Sequence, residues 1–129
     1  MSAPLQDQPL RIALLAVGLI FVFGLLPLTM LWPEGFMWEP RQPEYEQMIL
    51  ATFAVLGIFL LIASRDPAKH RSLISYAAWS SLIHGLVMLV QALRDTTERA
   101  NLFGDVTALI LIGMVLLVLI KRTQGVAVT

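Results

Sequence analysis

Three polar side chains interrupt an otherwise apolar stretch at helical spacing: Ser80, His84 and Gln91. Residues four and seven apart share one face of a helix. A hydroxyl, an imidazole and an amide on one face can bond across a helix interface, line a route for a small solute or proton, or hold a cofactor. Ser81 lies on the adjacent strip with Ala77, Ala78 and Gly85, small residues that let a second helix approach closely. This face must look toward protein. An imidazole in hydrocarbon without a partner loses its hydrogen bonds, at a cost of several kcal/mol.

His84 has two readings. It is either a neutral imidazole bonded to Ser80, Ser81 or a neighbouring helix, or a haem ligand, quinone contact or proton-relay group. His70 lies 14 residues earlier, about 21 Å along a helix. That spacing is similar to the paired haem ligands of cytochrome b helices. Those proteins supply matching histidines from a second helix, and this chain has only two in all. Haem at His84 is therefore an alternative that requires a homodimer or another subunit. The absence of cysteine excludes disulfides, thiol catalysis and Cys-ligated clusters. No GxSxG, HExxH, P-loop or dinucleotide fingerprint occurs. The expectation is a non-enzyme with no catalytic residues, no metal site and no cofactor.

The elements that position these residues follow from composition. Of 129 residues, 57% are hydrophobic and 14% charged, and the mean hydropathy is +0.77. Soluble domains are roughly 45–50% apolar and about 25% charged. The formal net charge is zero, which gives no reason to expect nucleic acid as a partner. Four stretches lack Asp, Glu, Lys and Arg: 12–33, 47–64, 72–93 and 106–120. A span needs about 20 helical residues. The fourth stretch has 15, but Lys121 and Arg122 can snorkel at one end while Asp105 lies at the opposite membrane edge. The reading is all-α: one integral membrane domain, 1–129, of four antiparallel transmembrane helices near 11–32, 47–64, 67–94 and 103–121.

The first span reads as a retained signal-anchor, because no A-x-A-like site follows it. Proline at position 27 predicts a kink near its far end. Six of the nine basic residues fall on the side of the two termini. The positive-inside rule then places both termini in the cytoplasm, and the chain in the inner (plasma) membrane.

The connecting segments carry the remaining signals. Residues 33–46 contain four glutamates, Pro40 and Pro43. There Trp32, Phe36, Trp38 and Tyr45 suit either an interfacial aromatic belt or a surface for a partner. No Gly-spaced acidic loop supports calcium. On the other side, Asp66 before Pro67 is expected to cap the third helix. Arg65, Lys69 and Arg71 could meet anionic lipid. Arg94 and Asp105 are expected to form an ion pair at the membrane edge, with an N-cap role or a cation or proton site at Asp105 as the other readings.

The run 64–91, through Arg65, Pro67, His70, Arg71, Ser72, Leu73, Ala78, Trp79, Ser80, Ser81 and His84, resembles a family of small bacterial membrane proteins with four predicted helices and no assigned function. That resemblance implies a fold and no reaction. The expected function is a non-enzymatic accessory, assembly or structural subunit that packs against itself, as a homo-oligomer, or against another membrane protein. One alternative is small-solute or proton transport through an oligomer lined by the third helix. A second is haem or quinone binding at His84.

Overall fold

A computed structural model describes residues 4–128. The chain runs through α1 (Pro4–Leu19), a π turn (Ile20–Gly24), α2 (Leu25–Leu31), a single turn α3 (Pro33–Phe36) and α4 (Pro43–Ala63). A 3-10 turn (Pro67–His70), α5 (Arg71–Arg94), a second 3-10 segment (Thr96–Leu102) and α6 (Asp105–Val128) complete it. No strand occurs among the described residues. Four helical stretches are long and apolar enough to cross a membrane: Asp7–Leu31, Pro43–Ala63, Pro67–Arg94 and Asp105–Thr123. The protein is an all-helical multi-pass membrane protein.

Most helix ends extend beyond the uncharged stretches, because charge bounds the hydrocarbon rather than the helix. Beyond α1, prolines start three of the segments: Pro33, Pro43 and Pro67 each occupy a first helical position, where no intrahelical donor is needed. Glu44 and Glu46 therefore fall in the first turn of α4, next to the positive end of its dipole. Asp66 sits at the expected cap position but makes no cap hydrogen bond. Its carboxylate faces Lys69 Nζ at 3.5 Å instead.

In the first span a π turn, Ile20–Gly24, precedes Pro27. Leu25 N–H donates to the Ile20 carbonyl, five residues back, which widens the turn there. Proline has no N–H to return to the preceding turn and its ring crowds that turn's carbonyl. A wide turn just upstream is a common way to absorb this.

The bundle consists of two close pairs. The first span runs along α4, and α5 packs along its length on α6, whereas α4 and α5 touch little. Each pair is drawn together by glycine. A Cβ added at Gly57 would lie 2.8 Å from the Gly18 carbonyl oxygen, and one at Gly113 would lie 2.8 Å from the Ala78 carbonyl oxygen. Both approaches lie on the side of the bundle nearer the two termini. Toward the opposite end the pairs are roofed by the 32–42 segment, and a Cβ at Gly104 would overlap the Gly35 carbonyl. That end is called the roof end below.

Arginine closes the terminal end. Arg11 of α1 donates to the Ser64 carbonyl at 3.4 Å and also to the Arg65 carbonyl, at the end of α4. Arg71 of α5 donates to the Ile120 carbonyl at 3.0 Å and to Thr123 Oγ1 at 3.2 Å, where the fourth membrane-crossing stretch ends within α6. At the end of α4 the Arg11 cation satisfies late carbonyls and complements the negative end of the dipole.

Candidate functional site

Between the helix pairs, in the half nearer the roof, lies a chamber of about 390 Å³. Its walls are mostly apolar. The lining residues farthest from the roof are Ile20 and Phe21 of the π turn, Phe53 of α4, His84 of α5 and Ile112 of α6. They form a floor that is largely aromatic. Phe21 meets Phe53 edge-on with centroids 4.9 Å apart, and Phe53 stacks on His84 with centroids 5.9 Å apart.

One heptad toward the roof, the same three helices present Glu46, Gln91 and Asp105 to the chamber. Seven residues rise about 10 Å, which sets the depth. The chamber thus has an aromatic floor near mid-membrane and a polar ring near the roof. Phe36, Met37, Trp38 and Pro40 cover it.

The polar ring is anchored by the connecting segments. Trp38 Nε1 donates to Asp105 Oδ2 at 2.9 Å, and Asn101 Nδ2 to Asp105 Oδ1 at 3.3 Å. Asn101 Nδ2 also reaches the Met37 carbonyl at 3.2 Å. Buried Glu98 accepts the Glu39 backbone N–H at 2.6 Å. The 3-10 segment that carries Glu98 and Asn101 is started by Asp95, which accepts from Thr97 N–H and Thr97 Oγ1. The Thr97 hydroxyl is the larger cause that holds the Asp95 carboxyl below its ordinary range.

The structure therefore divides the residues that spacing had grouped. His84 and Gln91 line the chamber. Ser80 lies one turn beyond the floor, where its hydroxyl donates to the Ala77 carbonyl at 3.3 Å. Ser81 is buried with Ala77, Ala78 and Gly85, and its hydroxyl has no partner. Neither serine is bonded to His84. The small-residue strip faces α6 of the same chain, since a Cβ at Gly85 would lie 2.7 Å from Ile110.

Other expectations need correction. Asp105 does not pair with Arg94, because its two oxygens are taken by Trp38 and Asn101 and Arg94 is exposed. The aromatic set is not one belt: Phe36, Trp38 and Tyr45 line the chamber, whereas Trp32 lies outside it, edge-on to Phe36. Arg71 is spent on α6, which leaves Arg65 exposed and Lys69 beside Asp66. His70 belongs to the turn at the terminal end, so His84 is the only histidine of the chamber. Among the described residues no three His, Asp or Glu side chains gather to hold a metal ion.

Sequence reasoning missed Asn101 and Glu98, and it assigned Glu46 to a loop. The signal was present: Glu98, Asn101 and Asp105 recur at spacings of three and four just before an apolar stretch.

The sequence model of a family described as a family of unknown function (DUF6632) matches residues 5–129. No curated protein and no solved structure matches the chain.

Proposed function

We propose a function for a chain that belongs to the DUF6632 family of unknown function: a non-enzymatic membrane protein that accommodates a small amphipathic molecule taken from the bilayer. The apolar part of the molecule lies on the floor of Phe21, Phe53 and His84, and its polar end lies level with Gln91 and Trp38. The observation that carries this reading is the layered chamber itself. Its volume of about 390 Å³ falls within the range of small-molecule sites, roughly 300–1,000 Å³, which are likewise apolar with a few placed polar groups. Exposure of His84 and Gln91 at the weak α4–α5 seam supports entry from the side. The six basic residues at the terminal end support cytoplasmic termini in the inner membrane, with the roof on the opposite face.

The test uses the full chain in lipid nanodiscs, titrated with the uncharged fluorescent probe N-phenyl-1-naphthylamine. A saturable rise in emission is expected above the linear signal of empty nanodiscs. Ala108 is half-buried and lines the chamber, so Ala108→Trp should fill it and abolish saturation while helical circular dichroism is kept. An identical linear signal with and without the protein would sink the reading.

A further inference from the structure

The polar ring has a sign. Two carboxylate residues line the chamber, Glu46 and Asp105, and no lysine or arginine does. Asp105 is hydrogen-bonded by the indole of Trp38 and the amide of Asn101, both neutral, so no cationic side chain balances its charge there. Glu46 has no ion-pair partner among the described residues. The cation of the roof segment, Arg41, is held by Glu39 at 2.6 Å and by Met37 Sδ at 3.0 Å.

Apolar walls strengthen the effect of these charges, because field lines from a carboxylate are screened less there than in water. The aromatic residues point the same way. Trp38, Tyr45 and Phe36 stand around the same ring, and the faces of such side chains attract cations. An anionic head would meet two carboxylates with nothing to balance it. A neutral head could donate a hydrogen bond to them but would leave their charge uncompensated.

We infer that the chamber selects a lipophilic cation, an organic ammonium or phosphonium whose charge sits between Glu46, Asp105 and Trp38 and whose apolar body reaches the aromatic floor. The inference rests on the binding role proposed above and adds the charge of the occupant. Glu46 and Asp105 act as the specificity-determining pair, and Gln91 supplies a neutral polar contact at the same level.

The experiment displaces N-phenyl-1-naphthylamine from the chain in uncharged phosphatidylcholine nanodiscs with three compounds of similar shape. These are methyltriphenylphosphonium, triphenylmethane and triphenylacetate. The cation is expected to displace the probe at about one-tenth the concentration of either other compound. Glu46→Gln and, separately, Asp105→Asn should each reduce that preference, read as the ratio of displacing concentrations of cation and neutral compound within the same variant. Asp105→Asn retains an acceptor for Trp38, and Glu46→Gln leaves the Trp38–Asp105–Asn101 linkage untouched, so the two variants separate lost charge from lost folding. Equal displacement by all three compounds, or preference for the anion, would overturn the inference and leave the binding role standing. Failure of the naphthylamine to saturate would overturn both.

Discussion

The His84 imidazole lies nearly parallel to the Phe53 ring, with centroids 5.9 Å and planes 21° apart. Phe53 in turn receives the edge of Phe21. Three rings from the first span, α4 and α5 thus bridge two helix pairs that otherwise meet little along the α4–α5 seam. The bridge closes the chamber toward the terminal end.

Stacking rather than hydrogen bonding holds this bridge. His84→Ala should lower stability by about 1 kcal/mol, the worth of an aromatic pair beyond its buried area. His84→Phe should keep most of it. Reversible unfolding in mixed micelles of dodecylmaltoside and dodecyl sulfate gives both values. Equal losses in the two variants would show that the ring's nitrogens, not its face, matter.

The glycine crossing of the first span and α4 gives a contrast between positions. Gly57→Val must push a side chain into the Gly18 carbonyl oxygen, 2.8 Å from the first added carbon. Overpacking of this kind costs about 1–3 kcal/mol. At Gly24 the nearest atom would be Ile20 Cγ2 at 3.5 Å, an ordinary contact, so Gly24→Ala should leave stability unchanged or higher. The same unfolding assay reads both.

Asp105 should behave as an acceptor for the roof. Asp105→Ala leaves the Trp38 and Asn101 donors without their partner, at a cost of about 1–3 kcal/mol if the site stays dry. In a chain carrying Trp32→Phe and Trp79→Phe, Trp38 is the remaining indole. Its emission should shift to the red and become open to acrylamide in Asp105→Ala, but much less so in Asp105→Asn. An unshifted spectrum in both would refute the linkage.

Arg71 and Arg65 should differ although both belong to one basic cluster. Arg71→Ala removes two hydrogen bonds to Ile120 and Thr123 of α6 and should speed amide exchange in the turn 120–123 of that helix. Arg71→Lys should rescue it poorly, because one ammonium does not reproduce the guanidinium fork. Arg65→Ala should leave exchange in α6 unaltered.

Orientation is open to a direct assay, since the chain has no cysteine. Single cysteines at Lys69 and Glu44 should be labelled by a membrane-impermeant maleimide from opposite sides. With cytoplasmic termini, position 44 reacts in intact cells and position 69 only after lysis. The reverse pattern would invert the proposed topology.

What sequence determined is the solvent of each stretch. Apolar runs of about 20 residues have no stable home except a bilayer-spanning helix, because every backbone group must bond within the segment. That argument needs no partner, so four spans, their order and the small-residue strip at Ala77–Gly85 were all legible. Tertiary structure decided what each face meets. Periodicity places His84 and Gln91 on one side of α5, but it cannot say that Phe53, 31 residues earlier in the chain, covers one and leaves the other at a polar ring. It could not separate Ser80 from His84 either, since the floor falls between them. Nor could charge alone give Asp105 its partners, because Arg94 is near in sequence while Trp38 arrives only when Gly35 and Gly104 bring two distant segments into contact. The chamber exists because close approaches such as Gly18–Gly57 and Ala78–Gly113 draw each pair together on the far side of the floor, and such crossings are properties of pairs of helices rather than of any one of them.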